Sequence, residues 1–139
     1  MANTIHVDIV SAEGEIFQGS ATMVIAPAEL GEIGVAPRHA PLLTRLRPGT
    51  VRVKGADGAE QQFFVSGGLL EVQPQLVTIL ADTALRARDA DEAAAQRAKQ
   101  DAEERLANAK SETDFARAQA ELIEAAARLE FVRKLHGGH

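Results

Sequence analysis

The chain has 139 residues, a formal net charge of −5, no cysteine, no Trp and no Tyr. That length allows one core of ordinary size, or one small core with a simple appendage, but hardly two full domains, and the missing thiols exclude disulfides and thiolate metal sites. An acidic balance with no Trp, no Tyr and only five Phe argues against nucleic acid as a partner, and the absence of any long apolar run argues against a membrane span.

The opening "MANTIHVDIV" lacks the charged and then apolar pattern of a leader, so a mature, soluble, cytoplasmic chain is expected. From residue 5 the sequence alternates with period two. Ile5, Val7 and Ile9 face one way and His6 and Asp8 the other; Val51 and Val53 alternate with Arg52, and Val77 and Ile79 with Thr78. Turn signals separate the runs: Glu13-Gly14, Pro48-Gly49, Asp57-Gly58, Gly67-Gly68 and Pro74. Asp57-Gly58, between "VRVKG" and "QQFFV", is the clearest hairpin, because Gly accepts the positive φ of a tight turn. Many short strands without intervening helices predict an antiparallel β-sandwich or flattened barrel. "TMVIA" and "LLEVQ" are partly apolar on both parities, so a partner or the C-terminal segment is expected to cover one face.

Composition changes near residue 88. Nine of eleven glycines and all five prolines precede it, whereas the last 51 residues carry fourteen alanines and nineteen charges, which places domains at 1–88 and 89–139. Asp89, Asp91 and Glu92 suit a helix N-terminus, and helix formers run to about Lys110. Ser111 or Thr113 can cap a second helix that continues to about His136 before "GGH" ends it. Phe115, Ala118, Leu122, Ala125, Leu129 and Val132 form one stripe, and Ala94, Ala98, Ala102 and Leu106 form the facing one. The prediction is an antiparallel helical hairpin. A buried methyl contributes about 0.8 kcal/mol against roughly 1.5 to 3 for a whole Leu or Phe, so a mostly alanine seam holds weakly. Helices of good propensity joined in this way describe an element with two docking states.

Residues that could do chemistry are few. His39 stands between Pro37 and Pro41 beside Arg38, without a second histidine or carboxylate at metal or catalytic spacing, and reads as a turn histidine satisfied by backbone. "SGGLLEV" at 66 to 72 lacks the Lys-Ser/Thr ending of a phosphate loop and leads into a strand. His136 and His139 lie in a terminal segment with no supporting shell, and Glu71, Asp82 and the serines compose no nucleophile, base and orienter set. Neither an enzyme nor a metal site is expected.

"VDIVSAEGEIFQG", "GEIGVAPRHAPLLTRLRPGTVRV", "FFVSGGLLEVQ" and "VTILADTALRARDAD", followed by an alanine-rich helical pair, resemble in order and spacing the epsilon subunit of bacterial F-type ATP synthases, homologous to chloroplast epsilon and mitochondrial delta. The likeness covers essentially the whole chain. It implies a non-catalytic central-stalk subunit that links gamma to the c-subunit ring, couples proton flow to ATP synthesis, and opposes ATP hydrolysis when its helices reach the alpha/beta catalytic head. The implied location is the cytoplasmic face of the bacterial inner membrane, with membrane association only through the complex. Glu32 matches the position associated with the c-ring and His39 the one associated with gamma; Arg38, Pro41 and Leu42 complete the implied partner-binding stretch. Arg105, Lys110, Arg117, Arg128, Arg133 and Lys134 are the candidate contacts with an acidic loop of the head.

Two departures from the family pattern stand out. Arg38 occupies the usual place of a Gly, which requires a compatible φ. Where some relatives bind regulatory ATP, this chain keeps Asp91 and Arg128 but has Ala94 and Glu124 at the positions of two arginines, so weak or absent ATP binding is expected and no cofactor is implied. The alternative is a non-catalytic ligand-binding sandwich with a helical adaptor. Without Trp or Tyr it lacks the aromatic platforms that such sites present.

Overall fold

A computed structural model describes residues 3–137; Gly138 and His139, named above for the helix stop and the terminal histidine pair, lie outside the described residues. The chain divides into two compact units, Met1–Ala87 and Arg88–His139, with the division one residue earlier than the composition change suggests.

The first unit is built of β1 (Ile5–Ser11), β2 (Gly14–Ala21), β3 (Met23–Ala28), β4 (Gly31–Val35), β5 (Leu42–Leu46), β6 (Gly49–Lys54), β7 (Glu60–Val65), β8 (Gly68–Val72), β9 (Leu76–Ala81) and β10 (Ala84–Arg86). Neighbours run β10-β7-β6-β3-β5-β8-β9-β1-β2, with β4 paired to β3 alone. All pairs are antiparallel except β1 with β9, which are parallel. The result is a nearly closed sandwich. Its two end strands are stitched by a side chain: Arg86 Nε and Nη2 of β10 donate to the carbonyls of Ile16 (3.3 Å) and Glu15 (3.4 Å) on β2.

The alternation sets the core. Ile5, Val7 and Ile9 are buried, as are Val51, Val53, Val77 and Ile79, while the intervening polar residues lie outward. Asp57-Gly58 makes the expected turn between β6 and β7: Gly58 has φ 87°, the Gly55 N–H donates to the Ala59 carbonyl at 2.8 Å, and Asp57 accepts from the Ala59 N–H at 3.0 Å. The Gly67-Gly68 corner carries β7 into β8 under tighter constraint. Gly68 has φ 140°, and a Cβ there would enter the Leu80 carbonyl of β9.

A 3-10 turn (Ala87–Asp89) spans the division and precedes α1 (Glu92–Ala107), and α2 spans Glu112–Gly137. Asp91 caps α1, its carboxylate accepting from the Ala94 N–H at 3.3 Å. Of the two residues named as caps for α2, Ser111 serves: its hydroxyl accepts from the Asp114 N–H at 3.1 Å. The helices pack through Ala95 and Ala102 of α1 and Ala118, Ala125, Leu129 and Val132 of α2. Two details of the predicted stripes change. Ala95 is buried while Ala94, Ala98 and Leu106 are only partly so, and Phe115 is 49% exposed. α1 stops at Ala107 rather than near Lys110, so no helical turn of α1 lies opposite Phe115.

Gly68→Ala is expected to destabilise the chain by about 3 kcal/mol or more, since it adds both positive-φ strain and a backbone clash. Gly14→Ala, also at positive φ but in open space, is expected to cost only about 1 to 2 kcal/mol. Denaturant midpoints of the two variants check the difference.

Candidate partner interface

The stretch from 31 to 43 forms two separate features. β3 and β4 join through a two-residue turn at Glu29 and Leu30, where Leu30 is fully exposed and Gly31 has φ 141°. Glu32 follows on β4, exposed and opposite Pro27. At the far end of β4 the chain turns again. Pro37 and Arg38 are the central residues of a tight turn closed by the His39 N–H to the Ala36 carbonyl at 3.2 Å. Arg38 has φ 66°, and Pro second with a positive φ third is the pattern of a type II turn, which favours Gly at the third place. Arg38 therefore takes up the left-handed conformation that a Gly would adopt freely. Its N–H donates to the Pro74 carbonyl at 2.8 Å, which ties the turn to the β8–β9 connection.

His39 is held by backbone: Nδ1 lies 2.7 Å from the Ala40 carbonyl, in keeping with a turn histidine. Pro41 is exposed and Leu42 half-buried at the start of β5. Glu32 thus stands at one end of β4, and Arg38, His39, Pro41 and Leu42 gather beyond the other. The stretch offers two contact points on one short strand.

Between β5 and β1 the sheet exposes a face whose only trace in the sequence is the both-sided apolarity of "LLEVQ". The register aligns Leu43, Glu71, Thr78 and Asp8 in one row and Arg45, Leu69, Leu80 and Val10 in the next. Leu43 is 68%, Leu69 41% and Leu80 50% exposed, so three large apolar side chains share a surface with charged neighbours. His6 and Asp8 meet on the outward side of β1, with Nε2 3.0 Å from Oδ1, a pair that period-two spacing could have revealed.

In the helical unit the candidate cations have varied surroundings. Arg105 Nη2 reaches Glu121 of α2 at 3.0 Å, and Arg133 Nε lies 3.6 Å from Glu92 of α1, so both pairs cross the seam. Lys134 pairs along its own helix with Glu130 at 2.9 Å. Arg117, with Arg105 and the carboxylates of Asp101, Glu104, Asp114 and Glu121, lines an open cleft of about 420 Å³ at the turn. Lys110 is exposed in that turn. Arg128 is half-buried, and its Nε is out of contact with solvent and without a hydrogen-bond partner. Asp91 is committed to capping α1. Among the described residues no three His, Asp or Glu side chains are grouped to hold a metal, and no helix is long and apolar enough to cross a membrane.

Residues 4–87 match the family model described as ATP synthase, Delta/Epsilon chain, beta-sandwich domain, and residues 88–132 match its long alpha-helix domain. The ATP synthase epsilon chain of Nitrosococcus oceani is 61% identical over 135 residues, spanning 97% of this chain and 96% of that one. That of Alkalilimnicola ehrlichii is 61% identical over 133 residues, 96% of this chain and 95% of that one. A chain in the Euglena gracilis mitochondrial ATP synthase OSCP/F1/c-ring structure shares the fold with a TM-score of 0.79 at 20% identity, covering 90% of this chain and 79% of the other.

Arg38→Gly is expected to leave stability within about 1 kcal/mol, because relief of left-handed strain offsets the added freedom of the unfolded chain. Arg38→Val, β-branched at the same φ, is expected to lose about 2 kcal/mol. Thermal unfolding of both variants decides whether the turn holds this geometry.

Proposed function

The chain belongs to the ATP synthase delta/epsilon chain family, and from that premise we propose that it acts as a central-stalk subunit whose sandwich binds the rotor and whose helices restrain ATP hydrolysis. The observation that supports this best is the match of both units, in order, to the two domains of the family, with curated epsilon chains aligned over nearly the whole length. The subunit works through surfaces, without chemistry of its own.

Three surfaces divide the task. The outer face carrying Leu43, Leu69 and Leu80 is broad, rigid and partly apolar, suited to a permanent contact with gamma. Glu32 and the exposed Leu30 project from the β3–β4 turn toward the c-subunit ring. The Pro37-Arg38 turn, pinned to Pro74, keeps His39 in a fixed position beside the gamma-facing sheet. Preset backbone at these turns lowers the entropy lost on docking. The helices supply regulation, their basic groups meeting the alpha/beta head when the hairpin opens. As part of such a complex the chain sits at the membrane periphery, on the cytoplasmic side in a bacterium.

Residual nucleotide binding is not part of this reading. Asp91 is taken up in capping, Ala94 and Glu124 provide no cationic donors, and a phosphate chain would find only Arg128 of the expected set. Isothermal titration with ATP is expected to register no micromolar affinity.

Deletion after Arg88 is expected to leave co-purification with gamma intact while raising the ATPase rate of the assembled complex. Leu80→Asp in the full chain should weaken gamma binding about tenfold or more, as expected for a charge forced into a desolvated contact. Unchanged hydrolysis in the deletion, or undiminished gamma binding in the Leu80 variant, contradicts the respective half of the proposal.

A further inference from the structure

α2 is charged unevenly along its length. Residues 112 to 124 hold Glu112, Asp114, Glu121 and Glu124 against Arg117 alone, whereas residues 125 to 137 hold Arg128, Arg133 and Lys134, with the ionisable His136, against Glu130. The basic end lies beside the start of α1, where Asp89, Asp91 and Glu92 follow one another and the next cation in sequence is Arg97. Glu92 makes the contact. Its Oε2 lies 3.6 Å from Arg133 Nε and its Oε1 3.6 Å from His136 Nδ1, so one carboxylate faces two groups of the basic end.

These contacts are loose. The Arg133 and His136 side chains are 51% and 52% exposed and that of Glu92 is 43%, and pairs so wetted shift an equilibrium by no more than about fivefold. Beneath them α1 brings only Ala95 and Ala102 to the buried seam, while this end of α2 buries Leu129, Phe131 and Val132, so the ion pairs adjust the closed state rather than hold it. A charge that is matched in the closed hairpin but weakly held can pass to any surface offering several carboxylates.

We propose that Glu92 is an internal stand-in for an acidic protein surface: in the closed hairpin it occupies Arg133 and His136, and those groups engage the partner's carboxylates when α2 leaves α1. The assignment rests on the reading above that the helices move between two docking states. It adds a named competitor that sets how often the basic end is released. The Arg105–Glu121 pair differs, since it sits next to the turn, where the chain itself keeps the helices close. Removing the Glu92 charge therefore raises the fraction of time that the distal end of α2 is released while the hairpin root stays joined.

The native chain has no cysteine, so thiols introduced at the exposed Gln96 and Gly137 can carry a donor and an acceptor dye in the full-length protein. Glu92→Gln should raise the open population about two- to fivefold. Glu103→Gln, the same charge change on a residue making no ion pair among the described residues, should leave it unaltered. Poly-L-glutamate at low salt should open the hairpin further and more readily in the Glu92 variant, and Arg133→Gln should blunt that response. Equal dye readings for the two glutamate variants overturn the assignment, as does a poly-L-glutamate response indifferent to Arg133. Circular dichroism checks that helix content is retained. In the assembled complex Glu92→Gln should lower ATP hydrolysis below that of the native subunit. If deletion after Arg88 leaves hydrolysis unchanged, the inhibitory reading fails, yet the dye measurement on the free chain still decides the role of Glu92.

Discussion

The parallel pairing of β1 with β9 is the contact on which the sandwich depends. It joins the first strand of the chain to the last long one, and its register sets Val7 beside Val77 and Ile9 beside Ile79 on the buried side. The same register fixes the outside, placing Asp8 beside Thr78 and Val10 beside Leu80. Side chains alternate with a period of two, so a slip by one residue would turn the core outward and bury the carboxylate of Asp8. The exposed face and the closed core are therefore two results of one alignment. That outer face cannot deform without disturbing the interior.

The helical unit obeys a different balance. Its first helix brings only alanine to the seam, with Leu129 and Val132 as the larger buried residues of α2 there, and its helices also rely on caps, propensity and charge. Asp91 and Ser111 settle where each helix starts, and the short turn between Ala107 and Glu112 settles how much of α2 has a helix opposite it. The phenylalanine nearest that turn is left in solvent for this reason. Cross-seam pairs at both ends, Glu92 with Arg133 and Arg105 with Glu121, replace part of the burial that alanine does not supply.

Much of this was legible in the residues. Period-two runs and turn pairs foretold the strands, Asp57-Gly58 foretold its hairpin, and the swing to alanine and charge located the change of unit. Arg38 in a Gly position signalled that the backbone there had to suit a side chain, and the Pro37-Arg38 turn holds it at a φ of 66°. What stayed hidden depends on distant partners. No local pattern distinguishes Ala95 from Ala94 as the buried residue, since that choice follows from how two helices rotate against each other. The division of the 31 to 43 stretch into two contact points, and the row formed by Leu69 and Leu80, follow from strand order and register, which are properties of the whole sheet. The cross-seam pairs were likewise out of reach, because local reasoning looks first for partners one helical turn away, as at Lys134 and Glu130.

Arg86 has a position whose mechanical meaning is easily overlooked. It ends the short β10 immediately before the chain leaves the β unit, and its guanidinium grips two carbonyls of β2 on the opposite rim. Tension applied along the polypeptide from residue 88 onward is thus borne first by a three-residue strand and one anchored side chain, much as a cable clamp takes the tug on a cord before it reaches the soldered joint. Both bonds go to backbone carbonyls at the rim of the sheet, and the buried interior is filled by other side chains.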